Sequence, residues 1–97
     1  MGNNENIKKI IDVTEIKTSK ELQEKLMKEL EFPEFYGKNW DAFWDTITGL
    51  VDLPEKLIIK GWNNIVTILP NDAEIMRVLL EKFNKDYPMC KCVVEYN

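Results

Sequence analysis

The sequence predicts an α/β fold in which a three-stranded parallel sheet is flanked by helices. Short segments rich in β-branched residues alternate with segments of helical periodicity, in the order strand, two helices, strand, one or two helices, strand. Connections that contain helices join parallel strands, so all three strands should run the same way. The chain has 97 residues, 44% hydrophobic and 31% charged, and is expected to form a single domain over residues 1–97.

The first two elements follow from local patterns. Residues 7–13 are β-branched and short, which predicts a strand. Thr18 and Glu21 have capping-box spacing, so a helix should begin after Thr18 and run to Leu30. Its apolar stripe is assigned to the core: Leu22, Leu26 and Leu30.

The stretch 32–49 has the clearest local signals. Pro33 and Gly37 mark a turn-rich loop. Asn39 is a good N-cap, because its side-chain oxygen accepts a hydrogen bond from an amide of the next turn. A short helix is therefore predicted over residues 40–48, and Gly49 is expected to end it in a left-handed conformation.

The predicted helix 40–48 has two different faces. Its core-facing stripe comprises Trp40, Phe43 and Ile47. Asp41 and Asp45 form an i, i+4 pair on the other side, beside Trp44. Like charges at this spacing cost about 0.2–0.5 kcal/mol, so helix stability does not explain the pair. It is either a solvated acidic face or a binding surface, and the neighbouring tryptophan favours a binding surface.

The second half of the chain supplies the remaining elements. Residues 57–60 are nearly all apolar, as expected of a strand covered on both faces, whereas residues 61–69 suit either a brief helix or a strand. Asn71 and Glu74 are expected to cap a further helix that ends at residues 86–88. Its predicted buried stripe is Ile75, Val78, Leu79 and Phe83. Residues 90–96 are predicted to form the last strand.

Composition excludes several classes of function. The net charge of −4 and the pI near 4.8 argue against a nucleic-acid-binding protein and favour a basic protein partner. The chain has no histidine, which removes histidine-based catalysis and histidine metal sites. Asp41, Asp45 and Asp52 are too sparse for a calcium site, so we expect no metal and no cofactor. The paired carboxylates lie on a short helix face without a second group suited to acid–base catalysis, so we expect no enzymatic activity.

Cysteine usage and the N-terminal segment favour a cytoplasmic protein. Cys90 and Cys92 are poorly placed for a disulfide and are expected to be small buried groups in a reducing compartment. Residues 1–6 are polar and do not resemble an export signal, and no apolar run reaches membrane-spanning length. We therefore expect no membrane association, and nothing in the sequence demands a dimer, so a monomer is expected when the protein is free.

The run Phe-Pro-Glu-Phe-Tyr-Gly-Lys-Asn-Trp-Asp-Ala-Phe-Trp-Asp-Thr-Ile-Thr-Gly resembles the signature segment of the barstar family, intracellular inhibitors of ribonucleases. The resemblance implies a fold of the same kind and a one-to-one complex with a basic ribonuclease or ribonuclease-type toxin. It also implies that this protein is an immunity protein that covers the active site of its partner. The implied partner-binding residues are Phe35, Gly37, Asn39, Asp41, Trp44, Asp45, Thr48, Gly49 and Asp52.

The sequence departs from the family at three positions near this surface. Phe35 stands where the family commonly has tyrosine, Leu50 where the best-known member has tryptophan, and Lys82 where that member has an acidic residue. We therefore expect this chain to inhibit that member's ribonuclease poorly, and to prefer one with a neutral or acidic group opposite Lys82. The alternative function is an acidic interaction module of the same fold that binds a basic protein other than a nuclease.

Overall fold

The computed structural model describes residues 7–97 and confirms the predicted α/β architecture. The strands are β1 (Lys8–Asp12), β2 (Lys56–Lys60) and β3 (Val93–Tyr96), which form one parallel sheet in the order β1-β2-β3. The helices are α1 (Ser19–Glu29), α2 (Trp40–Gly49), α3 (Trp62–Ile68) and α4 (Pro70–Asp86), followed by a 3₁₀ turn (Pro88–Cys90). The polar segment 1–6, for which no export signal is predicted, lies outside the described residues.

The core lies on one face of the sheet. Ile11 of β1 pairs in register with Ile59 of β2, and both are fully buried. Ile10 and Ile58 are paired on the opposite face, where Ile10 is 52% exposed and Ile58 is half-buried. The expectation that both faces of β2 are covered is therefore wrong for the face that carries Ile58.

Helix α1 begins and packs as predicted. The Thr18 side chain accepts a hydrogen bond from the Glu21 amide at 3.1 Å, and the Glu21 carboxylate accepts one from the amide of Lys17 at 2.7 Å. Two amides near the helix start thereby gain partners. The three predicted core residues are buried: Leu22, Leu26 and Leu30.

The ambiguous segment 61–69 forms helix α3. Gly61 precedes it with φ +83°, and a Cβ at this position would lie 2.8 Å from the backbone nitrogen of Thr14, so the turn into α3 requires glycine. The prediction that Asn71 caps the next helix is wrong. Helix α4 begins at Pro70, because proline lacks the amide hydrogen that the first helical position leaves unpaired.

Helix α4 buries a different stripe from the predicted one. The buried residues are Ala73, Met76, Leu80 and Phe83. Phe83 is buried as predicted, whereas Ile75 and Val78 are 40% and 42% exposed and Leu79 is half-buried. Apolar residues occupy five of the six positions from 75 to 80, so helical periodicity allows two stripes. The stripe that contains Met76 is the one that joins the hydrophobic core.

The last strand is shorter than predicted, because the 3₁₀ turn includes Cys90 and β3 begins only at Val93. Both cysteines are free thiols; Cys92 is buried as expected, but Cys90 is exposed, so its predicted burial is wrong. The Asn84 side chain bonds the amide and the carbonyl of Cys92, each at 2.7 Å, which fixes the approach to β3. Burial raises the pKa of the Cys92 thiol to about 11.

Helix lengths and composition bear on membrane association. Across residues 7–97, no helix combines the length and the apolar character needed to cross a lipid bilayer.

Candidate protein-interaction surface

The loop between α1 and α2 is anchored to the core by two aromatic rings. Phe32 and Tyr36 are buried with their ring centroids 4.8 Å apart, and Phe32 also meets Phe43 of α2 at 5.9 Å. Two residues of this segment, Glu31 and Lys38, adopt φ +57°. The buried rings of Phe32 and Tyr36 therefore anchor the loop to the core, while Phe35 has 76% of its surface exposed.

A buried hydroxyl connects this loop to the helices on either side. The Tyr36 hydroxyl donates to the side-chain oxygen of Gln23, which is also buried, and lies 3.3 Å from the Asn39 carbonyl oxygen. Burial raises the pKa of Tyr36 well above its usual range. The hydroxyl therefore remains a hydrogen-bond donor at any physiological pH and keeps the loop in place.

Asn39 caps α2 as predicted. Its side-chain oxygen accepts from the Ala42 amide at 2.7 Å, and its side-chain nitrogen donates to the Gly37 carbonyl at 3.3 Å. A Cβ at Gly37 would lie 3.2 Å from the Cβ of Ala42, so a larger residue would push the loop away from the helix. The loop and the first turn of α2 thus form one rigid unit.

Helix α2 has an apolar and an acidic face, as predicted. Phe43 and Ile47 of the predicted stripe are buried together with Thr46, whereas Trp40 is only half-buried. Asp41 and Asp45 are exposed, and Trp44 is half-buried beside them. The face with the two aspartates is therefore available to a partner.

The C-terminal end of α2 differs from its prediction. Gly49 is the last helical residue and does not have a positive φ, so the predicted left-handed stop is wrong. The Thr46 carbonyl instead accepts from the amides of Leu50 and Val51, at 3.0 and 3.1 Å. Carbonyls at the helix end thereby gain partners without a left-handed glycine.

Trp40 fixes α2 against two other helices. Its indole nitrogen donates to Asp72 of α4 at 2.7 Å, and the other Asp72 oxygen accepts from the Ser19 hydroxyl at the start of α1. The Trp40 ring also meets Phe43 edge-on with a centroid separation of 5.2 Å. One carboxylate therefore links three helices and sets the position of the residue that precedes Asp41.

A groove runs between α2 and α4. It is lined by Trp40, Asp41, Trp44, Asp45, Ile75, Leu79 and Lys82. The Lys82 ammonium lies 4.8 Å from the centroid of the Trp44 ring and 2.7 Å from a carboxylate oxygen of Asp86. The groove therefore has an apolar floor, two aspartates at its α2 wall and a lysine over one tryptophan.

A second groove adjoins the C-terminal end of α2. Thr48, Gly49 and Asp52 line it together with Leu50 and with the segment that contains the 3₁₀ turn. The Thr48 hydroxyl donates to the Trp44 carbonyl at 2.7 Å and is thereby oriented along the helix. Leu50 and Met89 are 55% and 96% exposed in this region.

The nine partner-binding residues implied by the resemblance to the barstar family are all at least partly accessible to solvent. Phe35, Gly37 and Asn39 lie on the loop, the first groove gathers Asp41, Trp44 and Asp45, and the second gathers the other three. Within residues 7–97, the carboxylates of Asp41, Asp45 and Asp52 have no ion pair or side-chain hydrogen bond. The same part of the chain has no cluster of three metal-ligating side chains.

Several groove residues were not among the sequence candidates. Ile75 and Leu79 were assigned to the core, yet they line the first groove beside Trp44, and Tyr87 and Met89 line the second. The excess of apolar residues at positions 75–80 was a usable signal, because one helix face cannot bury them all. Nothing in the sequence singled out Tyr87 or Met89.

Comparisons with known proteins found two similarities. A family model described as Barstar (barnase inhibitor) matches residues 8–95. A protein of Bacillus subtilis (strain 168), named "Putative ribonuclease inhibitor YrdF", is 35% identical over 87 residues, which cover 89% of this chain and 96% of that protein.

Proposed function

Since this chain belongs to the barstar family, we propose that it inhibits a ribonuclease-type toxin by covering the active site in a one-to-one complex. The single observation that carries the proposal is the pair Asp41 and Asp45. Both are exposed on a helix that is fixed at its start by the Asn39 cap and by Trp40, and neither forms an ion pair with another described residue.

The chemistry of a ribonuclease active site fits this pair. An enzyme that holds RNA must present cations where the phosphates bind, and a carboxylate can replace a phosphate oxygen opposite an arginine side chain. Asp41 and Asp45 lie one helical turn apart, so two cations of the partner can be engaged at neighbouring positions. The half-buried Trp44 supplies apolar contact area beside them.

The rigidity of the surface supports tight binding. The loop and α2 are held by the buried rings of Phe32 and Tyr36 and by the Asn39 cap, so little conformational freedom remains to be lost on association. In this proposal the surface is already in its binding conformation before it meets the active site. In this proposal the protein performs no chemistry, is monomeric when free, and meets its toxin in the cytoplasm of the cell that makes both.

The test is a titration of the pure protein against a panel of basic ribonucleases that includes barnase. We expect RNA cleavage by at least one of them to fall linearly to zero at one equivalent of protein. Asp45→Asn should lose this inhibition. Glu15→Gln is the matched control, since Glu15 is an exposed carboxylate outside the surface and its loss changes the net charge equally.

Two results would overturn the proposal. One is a full panel without inhibition, together with a complex with a basic protein that is not a nuclease, which would support the alternative interaction module. The other is equal loss of inhibition in Asp45→Asn and Glu15→Gln, which would show that only net charge matters.

A further inference from the structure

Lys82 is the only cation among the described residues that line the α2–α4 groove. The opposite wall carries Asp41 and Asp45, and the floor between them includes Trp44. An aromatic face beside two carboxylates is a favourable place for a cation, because both the ring quadrupole and the negative charges attract it. In the free protein the chain's own lysine takes that place.

The geometry holds the Lys82 ammonium over the ring. Its nitrogen lies 4.8 Å from the Trp44 centroid, within the range of a cation–π contact, and 2.7 Å from the Asp86 carboxylate one turn further along α4. The two contacts together position the charge at the mouth of the groove, although just over half of the side chain remains exposed. A partner that approaches Asp41 and Asp45 therefore meets a positive charge beside them.

We propose that Lys82 is a specificity-determining residue that excludes partners with a cation opposite Trp44. This inference rests on the proposed function, because it concerns which ribonuclease the surface accepts. A partner with an arginine or lysine opposite Trp44 must either displace Lys82 from the Trp44 ring and from Asp86 or bind against the electrostatic repulsion of Lys82. A partner with a neutral or acidic group there leaves Lys82 in place and still directs its cations to Asp41 and Asp45.

The chain offers a matched control on the same helix. Lys85 lies three residues after Lys82, is exposed, and forms no ion pair with the described residues. Replacing either lysine with methionine changes the net charge equally. Only the change at Lys82 uncovers Trp44, so a difference between the two variants reports on the site and not on overall charge.

The experiment uses a hexa-arginine peptide as the probe, titrated into the wild-type protein and three variants: Lys82→Met, Lys82→Gln and Lys85→Met. Affinity is measured by calorimetry, and the indole N–H signals of the tryptophans are followed by NMR. We expect both Lys82 variants to bind the peptide roughly tenfold more tightly than wild type, with a shift of the Trp44 signal. Lys85→Met should change affinity by less than about threefold.

Equal gains in Lys82→Met and Lys85→Met would overturn the proposal, as would a Trp44 signal that moves no more than that of Trp62 in α3. The glutamine variant guards against a folding defect specific to methionine, and circular dichroism checks that each variant is folded. Inhibition of the whole ribonuclease panel by the same proteins is measured separately. Failure to inhibit any ribonuclease of the panel would count against the proposed function, whereas the peptide result alone decides the role of Lys82.

Discussion

Helices α2 and α4 pack side by side, but their exposed charges differ: α4 has ion pairs within the helix, whereas the two aspartates of α2 form none. On α4, Arg77 bonds Glu74 at 2.9 Å and Glu81 at 2.6 Å, and Lys82 bonds Asp86 at 2.7 Å. On α2, Asp41 and Asp45 repel each other at i, i+4 and form no ion pair with the described residues.

The contrast separates charges that serve the fold from charges that serve a partner. Each pair on α4 contributes about 0.2–0.5 kcal/mol to helix stability, whereas the pair on α2 opposes it by a similar amount. A small folding cost of this kind is tolerable where a partner later supplies the missing cations. The largest binding energies should therefore come from the residues that contribute least to folding.

Asp45→Asn is the strongest test of whether the α2 charges serve binding and not folding. Removing one of two like charges at nearly constant shape should leave the free energy of unfolding unchanged or raise it by about 0.2–0.5 kcal/mol. Binding to the inhibited ribonuclease should weaken by more than about 2 kcal/mol, because a buried cation of the partner loses its counter-charge. Urea denaturation and an inhibition titration measure the two quantities, and a variant that inhibits like wild type would contradict the assignment of the site.

Asp72 should show the reverse behaviour, because this α4 carboxylate is used inside the molecule. Asp72→Ala leaves the half-buried Trp40 indole N–H without its acceptor, and we expect unfolding to become easier by about 1–3 kcal/mol, toward the lower end because Trp40 is partly exposed. Asp72→Asn retains an acceptor for Trp40 and should recover most of that loss. Thermal or urea unfolding of the two variants is the measurement, and equal stability of Asp72→Ala and wild type would contradict the linking role.

The salt dependence of the association rate constant tests whether Asp41 and Asp45 attract the partner before contact. Their attraction for a basic active site should accelerate association at low ionic strength. Between about 0.01 M and about 1 M salt, the screening length falls from about 30 Å to about 3 Å, so we expect the association rate constant to fall roughly tenfold or more. Stopped-flow mixing with the inhibited ribonuclease measures it, and a rate constant that does not change with salt would argue against steering.

The smallest expected effect is at Arg77. Arg77→Met removes both ion pairs of the α4 triad, and the free energy of unfolding should fall by less than about 1 kcal/mol. Inhibition of the ribonuclease should be unchanged, because Arg77 lines neither groove. A loss of inhibition comparable to that of Asp45→Asn would show that the two helices do not differ in the way described.

The local features of α2 could be predicted from sequence, because they depend on neighbours in the chain. Asn39 caps the helix through an amide three residues away, and the spacing of Asp41 and Asp45 fixes their common face. The parallel direction of the three strands also followed from the alternation of elements, whereas their order within the sheet was not predicted. The neighbouring Trp44 already favoured a binding surface at Asp41 and Asp45, and the family resemblance supplied the other residues of the surface and the kind of partner.

Some of the errors fall where distant residues decide the outcome. Which face of α4 is buried depends on residues elsewhere in the core, and the periodicity of Ile75, Met76 and their neighbours could not determine it. The link from Trp40 to Asp72 joins residues 32 positions apart, and no local pattern predicts it. The predicted left-handed stop at Gly49 is wrong for a local reason. The Thr46 carbonyl accepts hydrogen bonds from the amides of Leu50 and Val51 without a positive φ at Gly49.

The unequal cysteines have a practical consequence for observing complex formation. The thiolate is the nucleophile that attacks a thiol reagent, so an exposed thiol reacts far faster than one whose pKa is raised by burial to about 11. At neutral pH a maleimide dye should therefore attach to Cys90 and spare Cys92 without any mutation. Because Cys90 lines the same groove as Thr48, Gly49 and Asp52, the dye would sit beside the candidate surface and report the arrival of a partner as a change in its fluorescence.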